Sequence, residues 1–219
     1  MNWVRIALVA CVAACAWAAW PKPPVILDTH KSTRQRVIAW TLQREDNAIV
    51  ILGDSIVEAS NLPRSLCGHP IVNAGIGGAS TESDLGAVLT ASLGAKRAAL
   101  VVVALGTNDA AIPNSVERYR SNYRALLETM ATAATRTAIL AIPPPEAGLE
   151  EAKKVSIAAI DSYNAILPEL GKEAHATFIP LPAMPEHHTV DGIHLNAAGY
   201  DVWDKAMLQG IESVLCKSI

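Results

Sequence analysis

The chain has 219 residues, enough for one α/β domain with a sizeable core and too few for two comfortable ones. Its 18 Lys and Arg against 21 Asp and Glu give a formal net charge of −3, and no basic cluster lies along it, so it lacks the electrostatic footprint of a nucleic-acid partner. The hydrophobic half of the composition comes in short runs divided by Gly, Pro and charges, as in a packed soluble domain.

In chain order, residues 1–20 stand apart. Arg5 is followed by the wholly uncharged run Ile6 to Trp20. That is the length of a secretory h-region and short of the ~20 residues a membrane span needs. Ala16-Trp17-Ala18 offers a small-x-small cleavage site, Val12-Ala13-Ala14-Cys15 resembles a bacterial lipobox, and an uncleaved anchor is the third option. A buried first helix would carry a polar stripe, and this run has none. The expectation is export, to a bacterial periplasm, either free or tethered to the membrane through the N-terminus. Residues 21–30, with Pro21-Lys22-Pro23-Pro24, read as an extended linker, and 31–219 as the folded domain.

From Lys31 onward helix and strand signals alternate. Lys31 to Arg44 is helical in character, with Val37, Ile38, Trp40 and Leu42 as candidate core residues. Strands are expected at Ala48–Leu52, Ile71–Asn73, Ala98–Leu105, Ala138–Ile142 and Ala176–Ile179. A helix starts near Asn114, read as its cap, and places Val116, Tyr119, Tyr123, Leu126, Leu127 and Met130 at helical spacing. Glu146–Leu170 and Ala197–Leu215 are the other long helical candidates. Trp40, Trp203, Tyr119 and Tyr123 read as packing. The alternation implies βαβ units and a five-stranded parallel sheet between helix layers. In such sheets the chemistry lies beyond the carboxyl ends of the strands.

Four segments follow those strand ends: Gly53-Asp54-Ser55-Ile56, Asn73-Ala74-Gly75-Ile76-Gly77-Gly78, Gly106-Thr107-Asn108-Asp109 and Asp191-Gly192-Ile193-His194. Together they supply the parts of acyl transfer. A serine hydroxyl needs a base to take its proton as it attacks, and His194 is suited to that near neutral pH. Asp191 can accept the other ring N–H and fix the tautomer. The backbone N–H of Ser55, that of Gly78 and the carboxamide of Asn108 are candidate donors to the oxyanion. Each block alone is an ordinary turn or cap. Their joint occurrence at strand ends is what carries the reading.

These four blocks, in this order, resemble the conserved blocks of the SGNH, or GDSL-type, hydrolases over about Ile49 to Tyr200. The resemblance implies a three-layer α/β/α sandwich of the flavodoxin-like kind, a triad of Ser55, Asp191 and His194, an oxyanion hole of Ser55, Gly78 and Asn108, and no metal or organic cofactor. Ile56 stands where the family commonly has Leu, a swap of equal volume. Ala79 stands where many members have Asp, which leaves the choice of Gly78 over Gly77 open.

Rival sites are weaker. The run from Gly75 to Ser80 lacks the final glycine and the later acid of a dinucleotide loop. His187-His188 near the triad could suggest a metal, but adjacent histidines diverge, so they read as loop residues at the cleft rim. The α/β-hydrolase elbow is absent, because Val57 stands at its second glycine. The expected protein is a monomeric esterase of the carboxylesterase, acetylesterase, lysophospholipase or thioesterase type. Its substrate would be a small-molecule or glycan acyl ester. An O-acyltransferase acting on carbohydrate and a non-catalytic carbohydrate- or lipid-binding domain are the alternatives. Cys67 and Cys216 could bridge in an oxidising compartment or remain solitary thiols.

Overall fold

The computed structural model describes residues 29–111 and 115–216. In chain order it contains helix α1 (Thr29–Arg44), strand β1 (Ile49–Gly53), a short helix α2 (Ser55–Ala59), strands β2 (Ser65–Leu66) and β3 (His69–Gly75), helix α3 (Leu85–Leu93) and strand β4 (Leu100–Ala104). Then come helix α4 (Val116–Ala133), strand β5 (Thr137–Leu140), helix α5 (Ile157–Glu173), strand β6 (Thr177–Ile179) and helix α6 (Ala197–Leu215). The described residues from Lys31 onward form one compact unit. The leader, with Cys15, lies outside the described residues.

The described strands form one sheet in the order β2-β3-β1-β4-β5-β6. Five are parallel, as the alternation of signals requires, and a two-residue β2 adds an antiparallel edge beside β3. β2 is too short to leave a periodic signal, which is why five strands are legible and six are present. The connections between parallel strands pass through helices, as parallel pairing demands.

Strand side chains alternate between two cores. On one face Val50, Leu52, Val101, Val103 and Ile139 meet Ile38 and Leu42 of α1, Leu85 and Leu89 of α3, and the buried stripes of α4 and α5. On the other, Ile49, Ile51, Leu100, Val102 and Leu140 meet Ile56 and Val57 of α2 and Trp203, Met207 and Ile211 of α6. Burial on both faces explains why the central strands read as unbroken apolar runs. The buried tyrosines pair their hydroxyls with β4 and its exit: Tyr123 donates to Val103 O and Tyr119 to Leu105 O.

Several expectations change. Val37 and Trp40 stand outward, 41% and 59% exposed, because Ile38 and Leu42 already occupy the inward line of α1. Trp203, by contrast, is buried as expected. The helix expected over Glu146–Leu170 begins only at Ile157, capped by Ser156, after a loop and the 3₁₀ turn Glu151–Lys154. The cap of α4 is Ser115, whose side chain accepts the amide of Arg118. Asn114 lies outside the described residues. Helix α3 was not expected, although Leu85, Leu89 and Leu93 mark it at four-residue spacing.

Cys67, in the β2–β3 turn, is disulfide-bonded to Cys216 at the end of α6, with the Cα atoms 5.6 Å apart. No described helix is long and apolar enough to cross a membrane.

Candidate active site

The register of the sheet fixes where the chemistry collects. Gly53 lies beside Gly75 on one side and Ala104 on the other, so β1, β3 and β4 end level. The chain leaving each of them therefore emerges along one edge. β1 is also where the strand order reverses, the usual crevice of a doubly wound sheet.

Ser55 opens α2 directly after β1. Its neighbour Asp54 caps that helix, with Oδ1 accepting the amide of Ile56 at 2.9 Å. Tyr200 of α6 donates its hydroxyl to Ile56 O at 2.7 Å, which ties α6 to the turn. Asp54 is buried, and its Oδ2 has no hydrogen-bond partner among the described residues. Burial pushes its carboxyl up to about 7, against the opposing pull of the Ile56 amide and of the His194 imidazole.

His194 reaches this turn from a segment 139 residues away. Its Nε2 lies 2.9 Å from Ser55 Oγ and its Nδ1 lies 2.6 Å from Asp191 Oδ2. An ionised carboxylate only accepts, so the ring proton belongs on Nδ1, and Nε2 is left to accept from the serine hydroxyl. Asp191 Oδ1 also accepts the amides of Ile193 and His194 at 3.0 and 2.8 Å. Partial burial raises the Asp191 carboxyl, but the ring and the two amides together outweigh it and hold it below its ordinary value. The turn depends on Gly192. Its φ is +106°, and a Cβ there would fall 2.9 Å from the backbone nitrogen of Ala152.

A second layer locks this turn to the loop after β5. The Glu146 amide donates to Gly192 O, and the Glu146 carboxylate accepts from the Thr189 amide, the Thr189 hydroxyl and the His187 ring. The Thr189 hydroxyl in turn accepts the Gly192 amide. Glu146 and Thr189 had no legible role in the sequence, since no motif surrounds them. His187 is exposed, but His188 is buried, with Nδ1 and Nε2 each 2.9 Å from the carbonyls of Pro185 and Pro144. Carbonyl oxygens thus stand at hydrogen-bonding distance from both ring nitrogens of His188. Its role is to join two loops.

The other oxyanion candidates, Gly78 and Asn108, sit on the loops that leave β3 and β4. Asn108 donates Nδ2–H to Ala79 O at 2.9 Å, which sets its carboxamide beside the Gly78–Ala79 backbone and leaves its second amide hydrogen available. Asp109 ties the same loop down by accepting from the Thr81 amide and hydroxyl. These contacts hold the turn although the side chain of Ala79 offers no acceptor. Gly77 N–H is engaged by Glu58 Oε2 at 2.6 Å, whereas the N–H groups of Gly78 and Ser55 meet no acceptor among the described residues. Of the two glycines, Gly78 is thus the one whose N–H is left unengaged among the described residues.

The model of the GDSL-like lipase/acylhydrolase family matches residues 51–202. Among solved structures, a Streptococcus pneumonia protein provisionally described as a platelet activating factor is 26% identical, with a TM-score of 0.69 over 94% of this chain and 99% of that one. A lipase/acylhydrolase from Enterococcus faecalis shares the fold at 19% identity and a TM-score of 0.63, over 77% and 96% of the two chains. An acetyl xylan esterase from Geobacillus stearothermophilus does so at 18% identity and a TM-score of 0.60, over 76% and 95%. No functionally curated protein matches the chain in sequence.

Proposed function

The chain belongs to the GDSL-like lipase/acylhydrolase family, and from that premise we propose that it is an exported serine esterase that hydrolyses short or otherwise accessible acyl esters, acetylated carbohydrate among them. The observation that carries this reading is the unbroken line from Ser55 Oγ to His194 Nε2 at 2.9 Å and from His194 Nδ1 to Asp191 Oδ2 at 2.6 Å.

The chemistry runs in two halves. Ser55 Oγ attacks the acyl carbon while its proton passes to His194 Nε2, and the Asp191 carboxylate stabilises the imidazolium that results. The carbonyl oxygen becomes an oxyanion, met by the N–H groups of Ser55 and Gly78 and the Asn108 carboxamide. One such donor typically contributes about 3–4 kcal/mol to the transition state. Collapse breaks the bond to the leaving alcohol, which takes the proton from Nε2, and the acyl group stays on Ser55. Water then repeats the sequence: it gives a proton to Nε2, attacks the acyl carbon, and the released Ser55 oxygen recovers that proton.

Accessible substrates are favoured because the side chains of His194 and Asp191 remain 40% and 32% exposed. The fold shared with an acetyl xylan esterase agrees with an acetylated sugar as one such substrate. Export is supported by the uncharged run Ile6 to Trp20 and by the Cys67–Cys216 disulfide, which suits an oxidising compartment.

Hydrolysis of a short-chain activated ester, compared between the wild type and Ser55→Ala, tests the proposal. The variant is expected to lose about 10³-fold or more in kcat and to resist a fluorophosphonate probe that labels the wild type. Undiminished turnover in Ser55→Ala would overturn the assignment.

A further inference from the structure

The residues that hold the nucleophile's helix to the oxyanion loop form a charged clamp outside the triad. Glu58 lies one helical turn after Ser55 on α2, and its Oε2 accepts Gly77 N–H at 2.6 Å. Its Oε1 faces Arg34 Nε of α1 at 3.3 Å. The same guanidinium donates to Gly75 O at 3.1 and 2.9 Å, to Asn73 O at 3.3 Å and to Asn73 Oδ1 at 3.2 Å. Asn73 completes the ring by donating Nδ2–H to Val57 O at 2.7 Å. α2 lies so close to the end of β3 that a Cβ on Gly75 would stand 2.2 Å from the Glu58 nitrogen.

This arrangement has a consequence for the oxyanion. Gly77 and Gly78 are adjacent, and a small rotation of the loop could present either amide to the site. A carboxylate bound to Gly77 N–H removes that amide from competition and fixes the peptide that follows. Arg34, itself bonded to three backbone or side-chain oxygens at the β3 end, holds the carboxylate in place. Ser55 and Glu58 ride on one five-residue helix, so nucleophile and clamp move as a unit.

We propose that Glu58, held by Arg34, is a positioning residue that commits the Gly78 N–H to the oxyanion by occupying the Gly77 N–H. The proposal rests on the esterase reading above and adds to it a device outside the triad. Because a shift of about 1 Å in a catalytic group can cost 10²-fold, losing the clamp is expected to be felt in turnover and not in substrate binding.

The test has a variant arm and an arm needing no variant. In Glu58→Ala, kcat per fluorophosphonate-titrated site is expected to fall about ten- to a hundredfold with KM within about twofold. The affinity for a short alkyl boronate, which forms a tetrahedral adduct on serine, should fall by the same factor. Glu58→Gln, whose amide oxygen can still accept from Gly77 but whose NH₂ then faces Arg34 Nε–H, should recover part of the loss. A purely structural role would lower the melting temperature and the titrated fraction while leaving kcat per site unchanged, and that result would overturn the proposal. In the wild-type chain, the Gly77 amide proton should resonate downfield and exchange slowly before any ligand is added. On boronate binding the Gly78 amide should be the one that moves downfield. If Gly77 moves instead, or exchanges freely, the clamp is refuted even if Glu58→Ala fails to fold. Absence of Ser55-dependent turnover in the wild type would instead remove the esterase reading, and the free-state exchange of Gly77 would still decide for or against the clamp.

Discussion

Asp191 grips His194 at two points: Oδ2 lies 2.6 Å from the ring Nδ1, and Oδ1 accepts the main-chain amide of the same residue at 2.8 Å. Ring and backbone are thus oriented by one carboxylate, so tautomer and ring direction are set together. In Asp191→Asn, an amide oxygen that keeps the two backbone amides turns its NH₂ group toward Nδ1. That nitrogen must then accept, the proton moves to Nε2, and the base is lost. We expect kcat for a short-chain ester to fall about 10³- to 10⁴-fold with the fold intact by circular dichroism. A loss below tenfold would show that the carboxylate does not set the tautomer.

Asp54 imposes a pH dependence opposite to that of a paired surface carboxylate. Burial raises its folded value to about 7 from 3.8, so between those values the folded chain binds more proton than the unfolded one. Its contribution to stability is full below about pH 4, declines as pH rises and is gone above about 7. Asp191, shifted the other way, changes only below 3.8 and does not overlap this window. Asp54→Asn keeps an oxygen for the Ile56 amide and cannot titrate. Between pH 4 and 8 the wild type should lose of order 3–4 kcal/mol relative to this variant, read as diverging unfolding midpoints. Parallel curves would contradict the buried titration.

The Cys67–Cys216 bridge closes a loop of sequence separation 149 and pins the end of α6 to the β2–β3 turn. Replacing both cysteines by serine should destabilise the fold by about 2–5 kcal/mol in denaturant unfolding. Because the bridge lies away from Ser55 in sequence and element, kcat of the folded variant should stay within about twofold of wild type. Equal stability with and without reductant would argue against a bridge in the native protein.

Much of the site was legible because its chemistry sits on short segments of fixed residue type. Ser55, Asn108, Asp191 and His194 each follow a strand or lead into a helix, and apolar runs reveal strands buried on both faces. The disposition of less regular parts was not legible. Glu146 and Thr189 follow a proline run and a loop whose path no periodicity reports, and the late start of α5 after that loop has the same origin. Trp40 is apolar and helical, yet which of two adjacent lines on α1 turns inward depends on the packing of Ile38 and Leu42.

The sequence by itself determined the strand-helix alternation, the parallel sheet and the residue types delivered to its carboxyl edge, because side-chain period and functional-group chemistry are local properties. Only the tertiary structure decided that Gly77 is occupied and Gly78 is not, that His188 joins two loops, that Arg34 reaches the oxyanion segment from α1, and that Cys67 meets Cys216. Each of those depends on angstrom-scale distances between elements far apart in the chain, and hydrogen bonds lose their strength within less than an ångström of misplacement.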